Sequence, residues 1–156
     1  MLCIPYYTVS GVEAVKFRVI DERPGPRYLW PTGQRSRLYN TEAVLSGEPY
    51  ILITEGELDC VVSHYVCGLN SVGIAGVQHW KPHHSRVLKG FQNIFVVTDN
   101  DDKEDGSNPG QDLAGRIMRD LPWARNILLP RGQDLSDFVQ AQGTQALRTL
   151  VGLAEE

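Results

Sequence analysis

The sequence predicts an α/β protein, with a mostly parallel sheet flanked by helices and a small N-terminal strand-rich lobe. Three observations carry this. From residue 50 onward, short apolar runs alternate with helix-like segments, as βαβ units require. Before residue 50 the chain shows period-two alternation and Pro/Gly breaks, but no helical pattern of useful length. The composition, 42% hydrophobic and 22% charged over 156 residues, is that of a folded chain rather than a disordered one.

In the first lobe, residues 1–49, the stretch Ala14 to Ile20 alternates apolar and basic residues and puts Lys16 and Arg18 on one strand face. Pro24-Gly25-Pro26 breaks the chain, and Tyr28-Leu29-Trp30 is a short strand before Pro31-Thr32-Gly33 turns it again. The second unit, residues 50–156, opens with Tyr50–Thr54, an apolar run of the kind buried in a parallel sheet. A helix over Glu57–Cys67 follows, closed by Gly68, and then a strand at Ser71–Ile74. Next come a helix from Pro82 to Gly90, a strand at Asn93–Thr98 and a helix from Asp112 to Leu121. A strand at Asn126–Leu129 precedes helices at Ser136–Gln142 and Thr144–Leu153.

Composition excludes several classes. No apolar run approaches the roughly 20 residues that span a bilayer, and the N-terminus has neither the basic nor the apolar region of a signal peptide. Three cysteines without a C-x-x-C pair argue against a disulfide framework and a zinc ribbon, and point to a reducing cytoplasm. The net charge of −4 argues on its face against nucleic acid. Its distribution reverses that reading: residues 14–40 hold six basic and two acidic side chains, whereas residues 99–105 hold five acidic and one basic. Such a split suits a site where metal ions meet an anionic substrate.

Function in open α/β sheets gathers at the carboxyl ends of strands, and the carboxylates obey that rule. One strand ends in Glu55, with Asp59 a helical turn later; another ends in Asp99-Asn100-Asp101-Asp102. A third leads to Asp134, with Asp137 after it. Converging carboxylates repel unless a cation neutralises them, and their hard oxygens suit Mg²⁺ or Mn²⁺. Phosphoryl or nucleotidyl transfer is the chemistry such a site serves. A lone D-x-D is more often a solvated loop; the set across three strand ends is far more specific.

These motifs resemble the TOPRIM domain, the metal-dependent catalytic fold of topoisomerases, primases and certain nucleases. ILITEGELDCVV resembles its Glu motif, with Glu55 and Asp59 in place, and VVTDNDD its D-x-D motif, with Asp99 and Asp101. LPRGQDLSDF resembles the third acidic element of primases, with Asp134 in register; Ser136 stands where bacterial primases often carry a second Asp, and Asp137 follows it. The chain is most similar to the primase half of phage primase–helicases, over nearly its whole length. IPYYTVSGVEAVKFR, PRYLWPTG and RLYN resemble the segments leading into that core. The resemblance implies that Lys16, Arg18 and Arg27, with Arg37, hold nucleoside triphosphates or DNA. Three departures stand out: the KEDGSNP loop (103–109) lengthens the path from D-x-D to the next helix, displacing the expected glycine to Gly110; there is no zinc-binding module; and there is no P-loop of a helicase.

The expected function is a DNA primase catalytic domain making RNA primers on single-stranded DNA. Its partners would be ribonucleoside triphosphates, a replicative helicase and a separate zinc-binding module, and the chain would be a catalytic fragment or one subunit of a split primase. Asp99, Asp101 and Asp134 are the expected metal ligands. Glu55 is either a further ligand or the general base for a 3′-hydroxyl, and Asp59 supports a metal or orients a basic partner. The alternatives are a TOPRIM nuclease using the same carboxylates and a non-catalytic DNA-binding subunit; a phosphatase-like D-x-D hydrolase would need its motif after the first strand. Plainer readings apply elsewhere. Cys60, His64 and Cys67 are expected in the core, and His79, His83 and His84 on the surface. Tyr6, Tyr7, Tyr28 and Trp30 are expected to form the small lobe's core rather than a base-stacking platform. Gly73 and Gly76 are open between a backbone and a phosphate-proximal role.

Overall fold

The computed structural model describes residues 1–153. The N-terminal lobe is a three-stranded antiparallel sheet in the order β1 (Leu2–Thr8), β2 (Gly11–Arg18), β3 (Tyr28–Leu29). Its own core is small: Ile4, Tyr6 and Ala14 are buried, with Trp30 and Tyr39 packed against them. Tyr6 meets Tyr39 edge-on at 5.3 Å and Trp30 at 5.4 Å. Tyr7 and Tyr28, expected in that core, are exposed; Tyr7 follows Tyr6 on a strand, so burying one turns the other outward.

The main sheet has four parallel strands in the order β5 (Ser71–Gly73), β4 (Tyr50–Thr54), β6 (Asn93–Thr98), β7 (Arg125–Leu128). Strand alternation sorts its side chains onto two layers. Ile51, Ile53, Ile94 and Val96 face one core, covered by α2 (Pro82–Leu88) and α3 (Pro109–Asp120). Leu52, Phe95 and Val97 face the other, covered by α4 (Leu135–Gln142) and α5 (Thr144–Leu150). Two apolar faces on the same strands are why β4 and β6 read as continuous hydrophobic runs.

The two sheets are joined through the backbone. Tyr39 N–H donates to Gly73 O at 2.8 Å and Gly73 N–H to Tyr39 O at 3.2 Å, so the segment after β3 caps the free edge of β5. Leu38 and Ala43 are buried in the main core, although they precede the compositional change near residue 50.

Three local expectations are revised. The helix after β4 is α1 (Glu57–Val61) followed by a π turn over Val62–Val66, where Cys67 N–H reaches Val62 O at 3.0 Å. Helix α3 begins at Pro109 rather than Asp112, because the Asn108 side chain accepts from Gln111 N–H at 3.1 Å and proline fits the first turn. His84 is buried, not on the surface: its ring packs on Trp80 and His83, and its Nδ1 accepts from Lys81 N–H. Burial pushes its pKa down to about 4. Cys60 and Cys67 are buried as expected and His64 is half-buried; among the described residues, no helix is long and apolar enough to cross a membrane.

Candidate active site

The carboxyl ends of β4, β5 and β6 open into a cleft of about 500 Å³ between the main sheet and the N-terminal lobe. One wall carries Glu55, Asp59, Asp99, Asp134, Ser136 and Asp137; the other carries Lys16, Arg18, Arg27 and Tyr28. Glu55 follows the last residue of β4 and Asp99 the last of β6, neighbouring strands, so the parallel register alone delivers both. Asp99 N–H donates to Glu55 Oε2 at 3.2 Å. Gly110 lies against this pair, and a Cβ there would collide with the Asp99 carbonyl and stand 2.9 Å from Glu55 Oε2. The displaced glycine thus lets the N-terminus of α3 close over the carboxylates.

The D-x-D turn is fixed from the opposite side. Asn100 Nδ2 donates to Leu129 O at 2.7 Å, Asn100 N–H to Gln133 O, and Gly132 N–H to Asn100 O at 2.7 Å. This ties the turn to the loop that carries Asp134. Asp134 itself caps α4, accepting from Asp137 N–H at 2.7 Å. Ser136 donates its hydroxyl to Asp59 Oδ1 at 3.0 Å, while Asp137 is exposed on the cleft wall. Asp101 does not line the cleft; its carboxylate accepts from the Lys103 ammonium at 2.5 Å.

Crowding shows in the acid–base behaviour of this wall. Burial, reinforced by the charge of Asp99, pushes the Glu55 pKa up to about 7. Asp59 is pushed up to about 7 by burial, then by Asp99 and Asp134. Asp99 rises to about 6 through burial and the charges of Asp134 and Asp101. Among the described residues, no three His, Cys, Asp or Glu side chains are gathered tightly enough to ligate an ion by themselves.

On the basic wall, Arg18 and Arg27 line both the cleft and an adjoining hollow of about 660 Å³. Lys16 is not a free cation: it is 3% exposed and paired with Glu57 at 2.7 Å, so its charge is already matched. Arg37 is not brought to the cleft; it lines a separate depression and faces Glu13 at 3.8 Å. Gly73 takes a backbone role, for a Cβ there would lie 2.8 Å from Gly56 O, whereas Gly76 lines the cleft at a φ of 112°. Sequence reasoning missed Glu57 and the cleft-facing placement of Tyr28, and it left open the part of Ser136, which donates to Asp59. The available signal for Glu57 was its place two residues after Glu55, at the same strand end.

No family model matches the chain. The Gene 57 protein of Mycobacterium phage D29 is 36% identical over 151 residues, which cover 94% of each chain. A DNA primase of Myxococcus xanthus is 26% identical over 144 residues, 86% of this chain and 23% of that protein. A solved DNA primase domain from Pseudomonas aeruginosa superposes with a TM-score of 0.75 at 23% identity, over 96% of this chain and 49% of that one. The chain therefore spans about a quarter of the first primase and half of the second. It belongs to the family of the phage D29 Gene 57 protein, and its fold is that of the catalytic cores of bacterial and phage DNA primases.

Proposed function

We propose that this chain is the catalytic module of a DNA primase, joining ribonucleotides into short primers on single-stranded DNA with the aid of Mg²⁺ or Mn²⁺. One observation carries the reading: Glu55, Asp59, Asp99, Asp134 and Asp137 face Arg18 and Arg27 across a single cleft. Carboxylates alone would repel a triphosphate, and arginines alone would need no acids. Together they suit a polyanion that arrives with divalent cations.

The donor set fits such a cation. Glu55, Asp59 and Asp99 titrate above ordinary carboxyl groups because they are buried and, next, because neighbouring carboxylates repel them, and a cation there would relieve both. Mg²⁺ usually takes one or two carboxylates and completes its shell with water and phosphate oxygens, a shell that Asp99 and Asp134 could begin. Asp99 and Asp134, with Asp101 once Lys103 moves aside, would hold the ion. When bound, it would stabilise charge on the triphosphate and on the departing pyrophosphate. Glu55, held by Asp99 N–H and with its pKa near neutrality, is suited to take the proton of an attacking 3′-hydroxyl or to join the ligands. Arg18 and Arg27 would bind triphosphate and template phosphates. The small net negative charge implies a weak grip on DNA without metal or partner, and a replicative helicase and a separate zinc-binding module are the expected assistants.

The test incubates the protein with single-stranded DNA, labelled ribonucleotides and Mg²⁺ or Mn²⁺, beside Asp99→Ala and Glu55→Gln. Metal-dependent oligoribonucleotides that vanish in both variants support the proposal. Template degradation would assign the same carboxylates to a nuclease. DNA binding without any reaction would leave a non-catalytic replication subunit.

A further inference from the structure

Glu57 and Lys16 form a buried ion pair between the acidic strand-end loop and the N-terminal lobe. Lys16 Nζ donates to Glu57 Oε1 at 2.7 Å, to Glu57 Oε2 at 3.0 Å and to Ala75 O at 3.1 Å, which uses all three ammonium protons. The Tyr6 hydroxyl donates a short hydrogen bond to Glu57 Oε1. Glu57 is 1% exposed and Lys16 3%. A single carboxylate thus holds β1 through Tyr6 and β2 through Lys16, while Lys16 also grips the loop after β5.

The pair does not end at the lysine. Lys16 Nζ sits 4.2 Å from the centre of the Tyr28 ring, and the Arg18 guanidinium carbon 5.6 Å from the same centre. Arg18 and Tyr28 are also direct partners across β2 and β3. Moving Lys16 would therefore move Tyr28 and, with it, Arg18. The β1–β2 ladder and the bond from Val19 N–H to Arg27 O at 2.9 Å fix the backbone here, but β3 adds only two residues, so the direction of the Arg18 guanidinium is left to side-chain contacts.

We infer that Glu57 is a positioning residue: through Lys16 and Tyr28 it sets Arg18 against the carboxylates, so the anion of a nucleoside triphosphate meets Arg18 and Arg27 rather than the Lys16 ammonium. This rests on the cleft being a triphosphate site. It assigns Lys16 to the architecture of the basic wall and gives Glu57, which belongs to no catalytic set, an effect on substrate affinity.

The test has two arms. The first is independent of activity: the four lysines of the chain are acylated with a water-soluble amine reagent and quantified by mass spectrometry. Lys16 should resist labelling in the native protein while Lys81, Lys89 and Lys103 react, and Glu57→Gln should raise its labelling about tenfold, since the amine loses its charged partner. Equal labelling of Lys16 in the two proteins would overturn the pair as a latch.

The second arm measures binding of a fluorescent ribonucleoside triphosphate with Mg²⁺, together with KM and kcat. Glu57→Gln should raise Kd and KM about tenfold with kcat changed less than about threefold. The same change made in an Arg18→Ala background should add almost nothing, and Lys16→Met should reproduce the affinity loss of Glu57→Gln without adding to it. Additive effects of Glu57→Gln and Arg18→Ala, at unchanged melting temperature, would overturn the assignment. If the native protein bound no triphosphate, the functional proposal would fall and the positioning role with it. The labelling result would then stand alone as evidence of a lobe latch.

Discussion

Glu55 and Asp99 stand at the ends of β4 and β6, two central strands paired over five residues and buried on both faces. Arg18 and Arg27 stand on an antiparallel lobe whose outer strand has two residues and whose three fully buried core side chains are Ile4, Tyr6 and Ala14. The acidic wall is thus held by main-chain hydrogen bonds and core packing, which no single surface substitution removes. The basic wall has the β1–β2 ladder behind it, but its cationic heads are placed by side chains: one buried ion pair, one tyrosine ring and a few aromatic contacts. A cleft built this way keeps its charge-bearing acids rigid although they repel each other, and leaves its substrate-facing cations dependent on a few side-chain contacts.

The largest expected effect probes the acidic wall. Asp99→Asn should lower metal-dependent nucleotidyl transfer by about 100-fold or more. In metal-free buffer the same variant should melt at a higher temperature than the native protein, because it removes one of several repelling carboxylates. A lower melting temperature would mean that Asp99 is stabilised by partners in the way the basic wall is.

Gly110→Ala should destabilise by about 1–3 kcal/mol, since its Cβ has no room between the Asp99 carbonyl and Glu55. Gly115→Ala in the same helix meets open space and should stabilise by about 0.5–1 kcal/mol. Urea unfolding of both variants separates close approach at the site from simple helix propensity.

Proton linkage distinguishes the regions next. In metal-free protein, Glu55, Asp59 and Asp99 bind protons more tightly folded than unfolded. Their contribution is complete below about pH 4 and is lost as pH rises through about 6–7. His84 runs the other way: its pKa falls from 6.5 to about 4, so its contribution is complete above 6.5 and lost as pH drops through 4. The melting temperature should therefore climb from about pH 8 to pH 6.5, and His84→Phe should extend the climb to lower pH. Added Mg²⁺ should raise it most at pH 8. A native profile that falls over the first interval would contradict the crowding of the acidic wall.

The smallest effect belongs to Arg37→Ala. Because Arg37 faces Glu13 outside the cleft, triphosphate and DNA affinity should change by less than about twofold, as for an exposed pair. A tenfold loss would show that the basic wall extends beyond β2 and β3.

The same contrast explains which parts could be read in the sequence. Runs such as Tyr50–Thr54 and Asn93–Thr98 announce buried parallel strands, and strand ends then place Glu55 and Asp99 with no knowledge of the third dimension. The four-stranded sheet and its helices were legible for that reason; in the lobe, period-two alternation marked β2 and a short run marked β3, while β1 was not anticipated. The Lys16–Glu57 pair joins residues 41 positions apart, and no local pattern records which carboxylate a lysine will meet. His84 looked like a surface residue because its burial depends on Trp80 folding over it, and the π turn at Val62–Val66 reflects a one-residue shift of hydrogen bonding without a composition of its own. Asp101 followed the motif but not the cleft, because Lys103 two residues on engages it.

The bridge between Tyr39 and Gly73 bears on where this polypeptide can be cut. Composition divides the chain near Gly47–Pro49, yet a polypeptide starting at residue 50 would lose Leu38 and Ala43 from its interior and bare one border of its parallel sheet. Such a border is a template for other chains, so the shortened protein should self-associate rather than yield a tidy half-enzyme. Modularity in residue usage is here not mechanical modularity: the segment that delivers the cations also seals the platform that delivers the acids.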